Sequence, residues 1–274
     1  MTEPANMRVP DSVDRRRGWP YEADEAANRL GHAFPALRRM VPDMAMTPIR
    51  VALIEHARRK LRAEAAQATS IAEWVSLAFL PAHGAVTIRP YQVPSEIARL
   101  LALLAAKPPA AILEIGTAWG GTLFLLTRVA TPDAIIVSVD LPGGQFGGGY
   151  HPTRARLYRS FARDLQRLEL VRADSHAQST RARIQQLLGN RLLDFLLIDG
   201  DHSAAGVRAD FSQYADFVRP GGTIAFHDIV PGESDRTGGV PELWRELRAQ
   251  HPGAVEEIVD DWDQRGFGIG LLRA

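Results

Sequence analysis

The chain has 274 residues, and its 32 acidic side chains balance its 32 lysines and arginines. Because proteins that bind nucleic-acid phosphates usually carry a basic excess, we expect no nucleic-acid partner. Apolar residues make up 46% of the chain, which excludes global disorder. The absence of cysteine excludes disulfides and thiolate zinc sites and is compatible with a cytoplasmic location. No apolar run reaches the roughly 18 residues of a membrane span, so we expect no membrane partner.

The first 90 residues carry helix signals and no strand pattern. Thr47 and Pro48 are typical of an N-cap and the first helical position, and the apolar residues between 49 and 61 recur with helical spacing. Ser70 and Glu73 have the spacing of a capping box before a second helix. We predict a polar tail and helical extension over residues 1–90, before a main domain over residues 91–274. Three roles are open for the extension: packing on that domain, covering its site, or forming a homodimer. We favour the homodimer.

From residue 95 onward, apolar runs of strand length and helix length alternate. The first helix starts at Ser95 and stops before Pro108 and Pro109. Strands are predicted at residues 111–115, 134–140, 168–172, 195–199 and 223–227. Helices are predicted at residues 122–129, 153–165, 180–188 and 204–217. Since the strands are short and continuously apolar, we expect both sheet faces to be buried, as in a parallel, doubly wound sheet.

The last two predicted strands, residues 255–260 and 267–272, are joined by a short polar turn. No crossover helix fits between them, so we predict that they pair antiparallel. The predicted fold is therefore α/β. It is a Rossmann-like, mostly parallel doubly wound sheet with an antiparallel C-terminal strand pair and an N-terminal helical extension.

The first strand ends in a glycine-rich turn between Glu114 and Gly121. Gly116 and Gly121 match the outer glycines of the dinucleotide fingerprint, but Ala118 occupies the middle position. Glycine at that position lets the backbone approach a pyrophosphate, so Ala118 disfavours a nicotinamide or flavin ligand. The Glu114 carboxylate repels phosphate and suits a cationic amine. The alternative is a tight turn without a ligand.

The next two strand ends also carry acidic side chains. Asp140 ends the second strand, where an acidic residue typically accepts hydrogen bonds from ribose hydroxyls. Asp174 and Ser175 follow the third strand and suit the edge of an adenine, although Asp174 also suits a helix cap. The pattern therefore favours a ligand that contains a ribose and an adenine.

Taken in chain order, these strand-end motifs resemble those of the class I S-adenosylmethionine-dependent methyltransferases. The resemblance covers residues 91–274 and includes Asp199-Gly200-Asp201-His202 and Arg219-Pro220-Gly221-Gly222. Within the family, the chain is similar to bacterial small-molecule O-methyltransferases, including macrocin-type sugar methyltransferases and cephalosporin-hydroxylase-like proteins. The resemblance implies S-adenosylmethionine as cofactor, with its methionine part on the first turn, its ribose on Asp140 and its adenine on Asp174 and Ser175. The expected cofactor-binding residues are Glu114, Gly116, Thr117, Gly120, Gly121, Asp140, Leu141, Asp174, Ser175 and Asp199.

Acids and histidines end the fourth and fifth strands. Asp199 and His202 follow one strand, His227 and Asp228 the other, and parallel strand ends share one rim. Two roles are open. Asp199, His202 or His227 assists removal of a hydroxyl proton, or a divalent metal such as magnesium lowers that hydroxyl's pKa. The resemblance to metal-dependent relatives implies Asp199, His227 and Asp228 as ligands, with a histidine where those relatives carry an acid.

These patterns together predict transfer of a methyl group to a hydroxyl of a small-molecule acceptor, either a sugar or a specialised metabolite. Glycine-rich loops at residues 142–152 and 231–241 are expected to line the acceptor pocket, the first as a mobile lid. Two alternatives stay open, a nicotinamide-dependent oxidoreductase and a non-catalytic methyltransferase-like scaffold.

Overall fold

The computed structural model describes residues 43–80, 82–84, 86–142, 149–233 and 236–274. The predicted tail at residues 1–20 and the centre of the predicted lid, residues 143–148, lie outside the described residues. The chain divides into two compact units, residues 1–52 and residues 53–274. The candidate site lies in the second unit.

Three helices precede the sheet: α1 (Asp43–Gln67), α2 (Ile71–Ala78) and α3 (Pro94–Ala106). Helix α1 continues N-terminal of the predicted start and includes Pro48, which costs one helical hydrogen bond. The predicted capping box is confirmed, because Ser70 Oγ accepts from the Glu73 N–H and Glu73 Oε2 accepts from the Ser70 N–H. Apolar residues of α1 and α2, among them Ala57, Leu61 and Ala78, are buried in the core cluster that includes α3.

A seven-stranded sheet forms the centre of the second unit. Its strands are β1 (Ala111–Ile115), β2 (Ile135–Asp140), β3 (Arg167–Arg172), β4 (Leu193–Ile198), β5 (Val218–His227), β6 (Val255–Ile258) and β7 (Ile269–Arg273). They are ordered β3-β2-β1-β4-β5-β7-β6. The first five strands are parallel, and β7 pairs antiparallel with both β5 and β6. This confirms the predicted fold class.

Five helices connect the strands: α4 (Gly121–Val129), α5 (Ala155–Arg159), α6 (Gln178–Leu188), α7 (Ala204–Tyr214) and α8 (Val240–Gln250). Strands β1 and β2 are buried along their whole length, between two apolar clusters. Successive strands run outward from β1 in one direction and from β4 in the other. The carboxyl ends of β1 and β4 are therefore the switch point of the sheet, where ligands bind in folds of this kind.

The helix predicted over residues 153–165 is shorter than expected. A 3₁₀ turn at Pro152–Arg154 leads into α5, which ends at Arg159. Beyond it, the Arg163 guanidinium donates to the carbonyls of Thr127, Arg128 and Ala130 at the end of α4. These long-range hydrogen bonds hold the chain in a non-helical path.

Two further differences concern the last third of the chain. Helix α8 was not predicted, although Pro241, Glu242 and the apolar spacing of Leu243 and Leu247 are helix signals. Residues 219–222, with two glycines and a proline typical of a turn, lie within β5 as an irregular stretch, at which the β4–β5 register shifts between Leu193 and Phe195. Among the described helices, none combines the length and apolar character needed to cross a membrane.

Candidate active site

The turn after β1 has a backbone that requires glycine. Gly116 has a φ of 99°, and a Cβ added there would lie 1.9 Å from the carbonyl oxygen of Asp199. The Asp199 N–H in turn donates to the Ile115 carbonyl at 2.9 Å. The predicted cofactor turn and the end of β4 are therefore in direct backbone contact.

A segment that the sequence reasoning did not assign lies against this turn. A Cβ added at Gly121 would approach the Ile88 carbonyl oxygen to 2.1 Å, and the Tyr91 ring packs edge-on against Trp119 at 5.9 Å. Glycine at position 121 thus serves close packing of residues 88–90 on the start of α4. The only signal in the sequence was the glycine itself.

A chain of buried hydroxyls joins β1 to β2 beneath the turn. Ser138 Oγ donates to Glu114 Oε2 at 2.5 Å, and Thr117 Oγ1 lies 2.5 Å from the same Ser138 oxygen. Glu114 is fully buried, and its Oε1 has no hydrogen-bond partner among the described residues. Burial raises the pKa of Glu114 to about 8, against the hydrogen bond from Ser138. Glu114 is therefore a neutral acid at pH 7 in the ligand-free protein, and a cationic amine bound beside it would favour its ionised form.

Asp140 connects the first turn to the loop after β2. Its Oδ2 accepts from the Ala118 N–H and its Oδ1 from the Gly149 N–H, both at 2.9 Å. Burial raises its pKa to about 6, and backbone hydrogen bonds from Gly149 and Ala118, with the positive charge of Arg172, oppose the rise. A carboxylate has about four lone-pair sites, so beside its contacts to the described residues it has capacity to accept from ribose hydroxyls. The neighbouring Leu141 is 46% exposed and offers an apolar surface beside them.

Asp174 and Ser175 lie at the end of β3. Asp174 is half exposed, and its Oδ1 accepts from the His176 N–H at 2.9 Å. Ser175 is buried, and its carbonyl accepts from the Tyr214 hydroxyl at 2.6 Å. Glu114, Gly116, Thr117, Asp140 and Asp199 are thus brought together around the first turn. Ser175 instead contacts α7 through Tyr214, and Asp174 contacts His176.

The four acid and histidine residues that follow β4 and end β5 form one cluster. His227 Nδ1 lies 3.1 Å from Asp199 Oδ1 and 3.6 Å from Asp228 Oδ2. His202 bridges the same two acids, with Nε2 3.4 Å from Asp199 Oδ1 and Nδ1 3.4 Å from Asp228 Oδ2. The His227 side chain is 3% exposed and that of His202 is 14% exposed, so His202 is the more accessible histidine.

The charges in this cluster support one another. Burial alone would raise the pKa of Asp199, but the positive charges and contacts of His227 and His202 outweigh burial and hold this pKa below its ordinary value. Burial would lower the pKa of each histidine, but Asp199 and Asp228 raise both to about 9. Two imidazolium groups and two carboxylates therefore balance one another in the ligand-free cluster.

Two loops hold this cluster in place. Residues 236–239 belong to the loop that was predicted to line the acceptor pocket, whereas residues 265–268 had not been connected to the site. The Phe267 N–H donates to Asp228 Oδ1 at 2.8 Å, and Asp228 itself has a φ of 62°. His202 Nδ1 contacts the Arg236 carbonyl, and the Gly239 N–H donates to the His202 carbonyl at 2.8 Å. Residues 265–268 all have positive φ, and Gly266 and Gly268 were the signal for this left-handed run.

Three side chains of the cluster are arranged so that they could hold a cation. One ligand atom each from Asp199, His202 and Asp228 lies within 4.8 Å of the others. Two carboxylates and one imidazole form a ligand set that suits a divalent ion such as Mn²⁺, Fe²⁺ or Zn²⁺. These ions accept a nitrogen ligand, which an all-oxygen site does not offer. This set contains His202 where the sequence had indicated His227.

Comparisons with known proteins agree with this architecture. A family model described as a methyltransferase domain matches residues 113–229. The structure of cofactor-bound Rv0187 from MTB is similar, with 20% identity, a TM-score of 0.50, and coverage of 74% of this chain and 87% of that one. At this identity the likeness supports the fold alone.

Two O-methyltransferase structures match at lower TM-scores. The enzyme from Bacillus cereus in complex with SAH is 19% identical, with a TM-score of 0.47 and coverage of 74% of this chain and 89% of that one. TomG from Streptomyces achromogenes, involved in tomaymycin synthesis, is 17% identical, with a TM-score of 0.48 and coverage of 76% and 91%. The family model matches residues 113–229, less than half of the chain, and over this part it agrees with the predicted resemblance to class I S-adenosylmethionine-dependent methyltransferases.

Proposed function

We propose that the protein transfers a methyl group from S-adenosylmethionine to a hydroxyl of a small molecule, a sugar or a specialised metabolite. The observation that carries the proposal is the contact between Gly116 and the Asp199 carbonyl. It places the turn that would hold the methyl donor beside the acid and histidine cluster that would handle the acceptor's proton. Holding both reactants in one geometry is the main source of rate in an in-line displacement.

The cofactor pose follows from the buried acids. Glu114, whose Oε1 has no partner among the described residues, would ionise when the cofactor binds and would pair with its positively charged end. The Asp140 carboxylate would accept from the ribose hydroxyls, and Leu141 would offer its apolar surface to the base. Asp174 and Ser175 would contact the adenine.

His202 is the residue we assign to the acceptor's proton. His202 is an imidazolium in the ligand-free cluster, so it acts as a base only after losing one proton. Its Nδ1 faces the Arg236 carbonyl, which only accepts, so Nδ1 keeps its hydrogen and Nε2 becomes the base. Asp199 lies 3.4 Å from that Nε2 and would stabilise the imidazolium that forms. His227 is buried behind them and would orient the Asp199 carboxylate.

Metal assistance is part of the proposal. Asp199, His202 and Asp228 would hold a divalent cation, and a bound cation would lower the pKa of the acceptor hydroxyl. In that case His202 would act as a ligand and not as a base. Measuring turnover after EDTA treatment, and after adding back Mg²⁺, Mn²⁺ or Zn²⁺, distinguishes the two arrangements.

The test is a transfer assay with methyl-labelled S-adenosylmethionine and a panel of hydroxylated acceptors, including sugars and phenols. We expect label in an O-methyl product with the wild type and a rate about 10²–10⁴-fold lower with His202→Gln, the usual loss of a general base. His251→Gln, an exposed histidine after α8, is the matched control. Label appearing only in N-methyl products would contradict hydroxyl transfer, and absence of label from every acceptor would favour the non-catalytic scaffold.

The cytoplasmic location and the homodimer remain predictions. Light scattering coupled to size exclusion measures the mass in solution. A mass of twice the monomer supports the dimer, and the monomer mass contradicts it.

A further inference from the structure

Glu96, in the first turn of α3, is a buried acid that the proposed function does not use. The residue is 0% exposed, whereas most glutamates of a globular protein lie at its surface. A carboxyl group at this depth is costly unless hydrogen bonds satisfy it, so its partners indicate its role.

All three described hydrogen-bond partners of Glu96 lie in the loop between β6 and β7, residues 259–268. Its Oε1 accepts from the Asp260 N–H at 3.0 Å and from Gln264 Nε2 at 2.8 Å. Its Oε2 accepts from the Gly268 N–H at 2.9 Å. Both oxygens act as acceptors, as those of an ionised carboxylate do. One side chain of α3 therefore binds both ends of this loop.

The same loop lies at the edge of the sheet that carries the acid and histidine cluster. Strand β7 pairs antiparallel with β5 and places Ile269 beside His227. Strand β6 ends at Ile258, beside the same Ile269. The loop that joins β6 to β7 therefore starts and ends at the rim where His227 and Asp228 lie.

The end of the loop contacts the cluster directly. The Phe267 N–H donates to Asp228 Oδ1 at 2.8 Å, and the Phe267 ring lies 6.1 Å from the ring of His227. The next N–H along the chain, that of Gly268, is the one that donates to Glu96. Two consecutive N–H groups of the loop thus bind two acids, one in the cluster and one in α3.

The backbone of this part of the loop depends on such contacts. Residues 265–268 all have positive φ, and two of them, Arg265 and Phe267, are not glycine. Residues with a Cβ adopt this conformation at a cost in free energy, and it persists only where the surrounding structure holds it. The hydrogen bond from Gly268 to Glu96 is one of the contacts that hold it.

We propose that Glu96 is a positioning residue, which holds the end of this loop so that the Phe267 N–H orients the Asp228 carboxylate. This inference rests on the proposed function, in which the cluster handles the acceptor's proton. Asp228 lies beside both histidines of the cluster, so its orientation affects how the cluster takes up that proton. Glu96 acts on the reaction only through the loop.

A double-mutant cycle on methyl transfer tests the proposal, with an acceptor from the panel described above. Glutamine can accept on only one of its two sides, so Glu96→Gln loses part of its hold on the loop. We expect kcat to fall about tenfold, as for weakening one hydrogen bond to a charged group, and the Kd for S-adenosylhomocysteine to stay at the wild-type value. In an Asp228→Asn background, Glu96→Gln should lower kcat no further, because the two residues act through one contact.

Glu257→Gln is the matched control. Glu257 is a partly buried glutamate of the neighbouring strand β6, and its carboxylate accepts from Trp244 Nε1 on α8 at 2.7 Å. We expect it to leave kcat unchanged. A merely structural role of Glu96 would lower the melting temperature, and its effect on kcat would multiply with that of Asp228→Asn, which would overturn the proposal. If Glu96→Gln does not fold, Glu96→Asp decides in its place, because it keeps the charge but shortens the side chain by one methylene.

A second measurement does not depend on turnover. Hydrogen exchange of the Phe267 amide, followed by NMR, should become about tenfold faster in Glu96→Gln and stay unchanged in Glu257→Gln, because loss of the anchor frees the end of the loop to open. An unchanged exchange rate in Glu96→Gln overturns the proposal. Absence of methyl transfer by the wild type to every acceptor would refute the proposed function instead, and the exchange rate would still decide whether Glu96 holds the contact to Asp228.

Discussion

Replacing Glu114 with glutamine is expected to stabilise the ligand-free protein at alkaline pH. Glu114 is fully buried, and its pKa is raised from 4.5 to about 8, mainly by burial. Between these two values the folded state binds a proton that the unfolded state has lost. The free energy of unfolding therefore falls as pH rises through this window, and the loss is complete above pH 8.

The size of this effect follows from the same shift. Moving a pKa from 4.5 to about 8 corresponds to about 5 kcal/mol, which is an upper limit because buried sites relax when they ionise. Glutamine cannot ionise, so the variant loses this pH dependence. It also leaves an amide N–H₂ where Oε1 had no partner, which costs about 1–3 kcal/mol at every pH. The pH-dependent difference between the two proteins is thus the quantity to measure.

Urea unfolding of the wild type and Glu114→Gln at pH 5 and pH 9 measures it. We expect the variant to gain several kcal/mol relative to the wild type, within the limit of about 5 kcal/mol, between the two pH values. Glu256→Gln, at an exposed strand position in β6, is the control and is expected to follow the wild type. Parallel profiles for wild type and Glu114→Gln would refute the reasoning, because they would mean that Glu114 is ionised in the folded protein at pH 5.

Three further substitutions test separate parts of the structure. Gly116→Ala is expected to lose about 2–4 kcal/mol of unfolding free energy, because alanine would adopt a positive φ and clash with the Asp199 carbonyl. Gly189→Ala is the control in the same urea assay: its φ is also positive but its surroundings are open, so it should lose only about 1 kcal/mol. Equal losses in the two variants would contradict the clash. Ser70→Ala removes the capping box and should lower the melting temperature through a loss of about 1 kcal/mol, and an unchanged melting temperature would contradict this. Asp228→Asn should slow methyl transfer more than it weakens S-adenosylmethionine binding, since Asp228 contacts His202 and His227; an equal effect on both would contradict its place in the proton-handling cluster.

The parallel sheet was predictable because its central strands are buried on both faces. Runs such as residues 195–198 are continuously apolar and end in the polar residues that line the rim. The residues at those ends, from Glu114 to Asp228, could be assigned to one cleft because parallel strands place their carboxyl ends together. Local sequence and topology together are enough for this part of the site.

The remainder depends on contacts between distant segments. Arg163 terminates α5 by binding carbonyls of α4, and no local pattern contains that information. The support of Asp228 by the Phe267 N–H joins residues 39 positions apart, and the contact between His176 and Asp210 joins residues 34 positions apart. Helix α8 is a different case, because its signals, Pro241, Glu242 and the apolar spacing of Leu243 and Leu247, are all local.

The most direct test of the central claim is a calorimetric titration of the wild type with S-adenosylmethionine, with NAD⁺ in parallel. The account predicts one binding site with micromolar affinity for S-adenosylmethionine, weaker binding by Asp140→Asn, and no binding of NAD⁺. Binding of NAD⁺ in place of S-adenosylmethionine would contradict the account and favour an oxidoreductase.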